Sequence, residues 1–155
     1  MLFGCAQTPM PPSENTNSQT QTEVKTTIVK VYFSNPDLDP NKDFVCHNVF
    51  AVERKIPKTE TIALASIQEL LKGPTDSEKT KGYTTNINEK VKVQKLTIEN
   101  STARIDFNNQ LEYQVGGSCR ITAIIAQITQ TLKQFPTVKD VIISIDGRTE
   151  DILQP

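Results

Sequence analysis

Apolar residues along this chain recur in two rhythms, one of strands and one of helices. From Thr26 the segment TTIVKVYFSN places β-branched and aromatic residues from Ile28 to Phe33 and stops at Asn35-Pro36, which predicts a strand over about 27–34. The polar loop PDLDPNKD follows, then FVCHNVFAVERKIP, a second strand over about 45–55 with Pro57 ending it. In TETIALASIQELLKGP the rhythm changes: Ala63, Ile67, Leu70 and Leu71 stand at i, i+4, i+7 and i+8, with Thr59 placed to cap the helix and Gly73-Pro74 to stop it. TDSEKTKGYTTNINEK is polar and reads as an ordered loop. Val91–Ile98 and Ala103–Phe107 are strand patterns joined by a tight turn at Asn100-Ser101. Val91 and Val93 alternate in one phase and Leu96 and Ile98 in the other, which calls for a bulge near Gln94-Lys95. After Gly116-Gly117, with Ser118 as cap, Ile121, Ile124, Ile125, Ile128, Leu132 and Phe135 form the longest helical stripe, closed by Pro136. Val141–Ile145 is a last strand, ending at Asp146-Gly147. The expected fold is α+β in the order β-β-α-β-β-α-β, with two helices packed on one face of a mixed or antiparallel sheet.

The first 25 residues lack either rhythm. Residues 6–25, AQTPMPPSENTNSQTQTEVK, are mostly Pro, Ser, Thr, Asn and Gln and bury too little apolar surface to offset their ordering entropy, so they are expected to be a disordered tether. A coil of that length spans roughly 25 Å and reaches about 70 Å when stretched. Ahead of it, Leu2-Phe3-Gly4-Cys5 resembles the end of a bacterial lipoprotein signal, in which the cysteine receives the lipid. The basic and apolar regions that precede such a motif are absent, so Met1 is expected to mark a trimmed end or to lie downstream of the true start. The organisation is then 1–5 signal remnant with Cys5 as lipid site, 6–25 tether and 26–155 folded domain. Durable anchoring takes more than one acyl chain.

Composition narrows the classes of function. With 17 basic and 18 acidic residues the formal net charge is −1, so no long-range field gathers nucleic acid, and no nucleic-acid partner is expected. No run of about 18 apolar residues occurs, so attachment to a membrane would have to be covalent or borrowed. Cys5, Cys46 and Cys119 have no Cys-x-x-Cys spacing and His47 is the only histidine, an inventory too small for a structural zinc site; no metal or cofactor is expected. Intracellular thiols and one disulfide plus a spare cysteine both remain open on composition alone.

The folded part, from about Ile28 to the C-terminus, resembles a GerMN domain, the module of sporulation and spore-germination envelope proteins and of other bacterial lipoproteins. VKVYFSN, ELLKGPT from Glu69, LTIENSTARIDF from Leu96, GGSCR from Gly116 and TLKQFPTVKDVIISIDG from Thr131 carry the likeness by their succession. It implies an extracytoplasmic domain of the ring-building-motif type that stabilises envelope complexes, with no catalytic residues to carry over. The chain departs from it in holding one copy, where germination members can hold two, and in having Asn100-Ser101 where Asn-Gly is usual.

Several residues invite chemistry. In GGSCR a glycine loop enters a helix N-terminus, where free amides could lower the Cys119 pKa or hold an anion; a cysteine hydrolase would also need a base, for which His47 is the sole histidine. Gly116-Gly117 as a turn with Ser118 as cap is the favoured structural alternative, and no enzyme is expected. On a strand His47 faces opposite Cys46, toward solvent. Asp37, Asp39 and Asp43 share a loop without the spacing of an EF-hand and read as a solvated turn. Tyr32, Phe33, Tyr83 and Tyr113 could mark a carbohydrate or peptide surface. Export leaves no reason for two free thiols, and with Cys5 used for lipid the remaining count is even, so Cys46 and Cys119 are expected to form a disulfide from the second strand to the start of the second helix. The function expected is an extracytoplasmic, lipid-anchored binding and assembly module of the bacterial cell envelope, working within a protein complex and able to oligomerise. The alternative is a lipoprotein that binds peptidoglycan or another glycan.

Overall fold

The β-branched run at Thr26–Phe33 forms β1, whose alternation buries Val29, Val31 and Phe33 and turns Ile28 and Lys30 to solvent. The structure, a computed structural model, describes residues 1, 4, 23–40 and 46–155. Cys5, Asp43 and residues 6–22 of the expected tether lie outside them. β2, Phe50–Pro57, pairs antiparallel with β1, Phe50 standing opposite Phe33 and Val52 opposite Val31. The helix α1, Ile62–Leu71, buries Ala63, Ser66, Ile67 and Leu70. A one-turn helix α2, Asp76–Lys79, follows. β3, Val93–Glu99, and β4, Thr102–Phe107, form a hairpin whose two turn residues, Asn100 and Ser101, both have positive φ (49° and 62°), as a type I′ turn requires. The register shifts between Val93 and Lys95, which places a bulge at Gln94. α3, Ser118–Lys133, is the crossover that carries the chain to β5, Asp140–Ile145, parallel to β4. Asp146-Gly147, again with both φ positive, then folds Arg148 back onto Ile145.

The α+β class and the order of the main elements are as the sequence implies, but the strands divide. β1 and β2 make a two-stranded sheet, and β3-β4-β5 a separate three-stranded one. One hydrophobic cluster joins them, with Val31 and Phe33 from the first sheet, Ile67 and Leu70 from α1, Ile105, Phe107 and Ile145 from the second sheet, and Ile124, Ile128 and Leu132 from α3.

Four local expectations are corrected. Cys46 and His47 are not on a strand; they sit in a turn, and β2 begins at Phe50. Pairing with β1 goes no further because Ser34, next after Phe33, exchanges both backbone hydrogen bonds with Thr84 (3.1 and 2.9 Å). The N-caps are Thr61 and Gly117 rather than Thr59 and Ser118; the Thr59 hydroxyl instead accepts from the Thr61 amide at 3.2 Å. The polar loop after Pro74 contains α2, held by a capping box in which the Thr75 hydroxyl accepts from the Glu78 amide and the Glu78 carboxylate from the Thr75 amide. Ile125, counted in the apolar stripe, is 40% exposed, since the buried arc of α3 is shifted to include Gln127 and Thr131.

Candidate interaction surface

The glycine loop that enters α3 is held by its own neighbours. Gly117 takes φ 86°, where a side chain would be strained, and Cys119 two residues on is bonded to Cys46 through a disulfide, the Cα atoms 5.1 Å apart and the residues separated by 73 positions. Arg120 then spends its guanidinium on acceptors of the same domain: Nη2 donates to Asn88 Oδ1 at 2.8 Å, Nη1 to the Gln114 carbonyl and Nε to the Asn86 carbonyl. Asn88 Nδ2 in turn donates to the carbonyls of Gln110 and Tyr113. The sulfur that would have served as nucleophile is thus in a cystine, and the adjacent cation is occupied. His47 is exposed. Among the described residues no three His, Cys, Asp or Glu side chains are arranged to hold a metal. Of the four aromatic residues only Tyr113 is well exposed; Phe33 lies in the core and Tyr83 packs against it, so they do not form one aromatic surface.

The strand edges differ sharply in how they are finished. β1 has β2 on one side; on its other side Lys30 donates its amide to Gln134 Oε1 at 2.8 Å and accepts from Gln134 Nε2 at 2.7 Å, while the Tyr32 amide donates to Thr131 Oγ1 at 3.3 Å. Thr131 and Gln134 lie near the C-terminal end of α3, and Gln127, one turn before Thr131, accepts from the Thr85 hydroxyl at 2.8 Å. Of this polar stripe at i, i+4 and i+7 on α3, Thr131 and Gln134 satisfy groups that a neighbouring strand would otherwise satisfy, and close this edge at Lys30 and Tyr32 to strand addition. The periodicity of Gln127, Thr131 and Gln134 was legible beside the apolar stripe, but nothing local distinguishes it from a solvated face.

The three-stranded sheet is finished on one face only. Val93, Leu96 and Ile98, with their partners on β4 and β5, turn toward the core. The opposite face carries the cross-strand rows Lys95–Asp106–Ser144, Thr97–Arg104–Ile142 and Glu99–Thr102–Asp140. It is polar and of mixed charge, with Ile142 half-buried among hydrophilic neighbours. Within it the Ser144 hydroxyl donates to Asp106 Oδ1 at 2.6 Å and the Gly147 amide to the same oxygen at 2.8 Å.

One partly buried ion pair ties β2 to α2. Arg54 on β2 reaches Glu78 of α2 through two hydrogen bonds of 2.5 and 2.7 Å, its guanidinium 5.8 Å from the centroid of the Phe33 ring. Burial pushes the Glu78 carboxyl up, but hydrogen bonds from Arg54 and from the Thr75 amide, with the Arg54 charge, outweigh it and hold the pKa below the usual carboxylate value.

Comparison with known proteins places these features in a family. The model of the Germane family, described as sporulation and spore germination, matches residues 30–151. A comparison with curated proteins found no match. Among solved structures, the tandem GerMN domains of the sporulation protein GerM from Bacillus subtilis superpose with a TM-score of 0.60 at 19% identity, over 84% of this chain and 43% of that one, so this chain spans less than half of the tandem protein. The first GerMN domain of the same protein gives 0.56 at 20% identity, covering 79% and 85%. A candidate lipoprotein from Clostridium perfringens gives 0.52 at 19% identity, covering 84% and 82%. At such identities the structural likeness is one of fold; the family match over residues 30–151 carries the assignment. The chain belongs to the Germane family of sporulation and spore-germination domains.

Proposed function

We propose that this chain is an extracytoplasmic binding and assembly module of the bacterial cell envelope, tethered to the membrane by a lipid on Cys5. The observation that carries the reading is the contrast between the closed edge of β1 and the open polar face of the three-stranded sheet, a surface of eight charged or hydroxyl-bearing residues that no described element covers. A cystine at Cys46–Cys119 suits a compartment in which disulfides persist. The likeness to a candidate lipoprotein supports the tether, and the likeness to sporulation proteins supports an envelope setting.

The test is photo-crosslinking in the host from Thr97 and Ile142, with the full-length gene product. A discrete adduct with an envelope protein, and acyl mass on Cys5, are the expected results. Retention on purified sacculi that soluble muropeptides compete away, with no protein adduct, would overturn the assembly role in favour of glycan binding. Recovery of the chain in buffer with an unmodified Cys5 would remove the anchor.

A further inference from the structure

Resting on the reading of this domain as a binding module, we propose that the free edge of β3 and the apolar groove beside it form a docking site for an extended, basic-apolar peptide segment of a partner protein.

The direction of the backbone groups follows from the hairpin. Glu99 and Thr102 flank the two-residue turn, so Lys95, Thr97 and Glu99 aim their amides and carbonyls at β4, and Leu96 and Ile98 aim theirs away. The pairing on the far side of β4 agrees, since the carbonyls of Ser101 and Phe107 accept from Asp140 and Asp146 at the β5 side. β3 is the terminal strand of its sheet, and among the described residues no backbone hydrogen bond reaches Leu96 or Ile98 from outside. β1, by contrast, has its equivalent groups sealed by Thr131 and Gln134.

Next to this open edge is a groove of about 350 Å³, lined by Ile62 and Leu64 of α1, Leu96 and Ile98 of β3, and Phe135 beyond α3. Ile98 is 38% exposed, although it lies on the sheet face that elsewhere packs into the core. A strand added to β3 would satisfy the outward groups of Leu96 and Ile98, and its alternate side chains would enter the groove, which is the geometry of peptide recognition by strand addition. The volume is at the low end for a ligand site and suits one or two side chains.

Charge selects the occupant. Glu60 is the one charged residue lining the groove, and among the described residues its side chain has no ion pair or hydrogen bond. Lys95, the cation of β3, lies beside the bulge on the opposite, polar face of the sheet. A segment that places Lys or Arg next to a Val, Ile or Leu is complementary to a groove of aliphatic side chains whose one charge is Glu60. The chain's own N-terminal segment does not fit, since residues 6–22 contain no Lys or Arg and Met10 as their only large apolar side chain. With that segment set aside, the proposed occupant is a segment of another protein, and a second copy of this chain is an outcome that the test distinguishes.

The experiment titrates the ¹⁵N-labelled full chain with a blocked hexapeptide, Thr-Lys-Val-Lys-Leu-Thr, beside the same peptide with Glu for Lys and a version N-methylated at alternate residues. The Leu96 and Ile98 amides are expected to shift and to exchange with solvent about tenfold more slowly. The acidic and N-methylated peptides, and the variants Ile98→Glu and Leu64→Glu, are each expected to bind about tenfold more weakly or worse, a difference of about 1.4 kcal/mol. Ile98→Thr, a milder change, guards against a loss that merely reflects misfolding, and should weaken binding with an unchanged spectrum elsewhere. Shifts confined to other residues, equal binding of the acidic peptide, or no binding would overturn the proposal. Self-association of the wild type that Ile98→Glu abolishes would make a second copy the occupant and overturn it too. An Ile98→Glu chain that keeps its envelope adducts while no peptide binds would sink this site and leave the assembly role standing; a wild-type chain without adducts would sink the assembly role whatever the peptides do.

Discussion

Arg54 and Glu78 are 24 residues apart, yet each is the other's main polar partner, with side chains 12% and 14% exposed. Their worth comes from geometry: a bidentate, charge-assisted pair on an aromatic ring, in which Glu78 also completes the cap of α2. Glu78→Gln should cost about 2 kcal/mol at neutral pH, read from urea denaturation. The pH dependence has a definite sign. Because the folded protein holds the Glu78 carboxyl below its ordinary value of 4.5, the pair's contribution is complete above that pH and is lost as pH falls through the folded value. The gap between wild type and Glu78→Gln should therefore be constant from pH 7 to about 5 and shrink below 4.5. A gap that widens in acid would contradict the assignment.

At the scale of elements, α3 does two jobs with two stripes. Ile121, Ile124, Ile128 and Leu132 fill the core, while Thr131 and Gln134 take the place of a strand beside β1. Thr131→Val keeps the shape of the side chain and removes the acceptor for the Tyr32 amide, so a part-buried donor is left unpaired. A loss of about 1–2 kcal/mol is expected, and faster hydrogen exchange at Tyr32 should accompany it. Gln134→Ala removes both bonds to Lys30 and reopens the edge; here the measurement is light scattering on storage, which should rise, because an uncovered strand edge templates association. Unchanged exchange at Tyr32 in Thr131→Val would mean that the hydroxyl does not hold that edge.

For the whole molecule the longest-range constraint is the cystine, which ties the turn before β2 to the start of α3 across 73 positions. Closing a loop of that size is worth about 4 kcal/mol in the chain-entropy model. The double variant Cys46→Ser/Cys119→Ser should melt roughly 10 °C lower than the oxidised wild type, by calorimetry. Reduced wild type should match the variant. A difference of less than about 2 °C would mean that the bond constrains little that the core does not already constrain.

Much of the fold was legible because it is local. Both tight turns are announced by their residues, Asn100-Ser101 and Asp146-Gly147, and the bulge at Gln94 by the phase change between Val93 and Leu96. Both long helices follow from apolar spacing, and even the missed α2 was written as Thr75-Asp76-Ser77-Glu78, the signature of a capping box. A pairing of cysteines could be reasoned from their number and compartment, but not that Cys46 sits in a turn instead of a strand. Nor could the division into two sheets be read, because Ser34 leaves β2 for Thr84, 50 positions away in the chain, and β1 trades a neighbouring strand for side chains about 100 positions distant. Periods of two and 3.6 residues determine which face of an element is apolar. Which buried polar side chain meets which strand edge depends on partners distant in sequence, so only the packed tertiary structure decided that β1 would be closed and β3 left open.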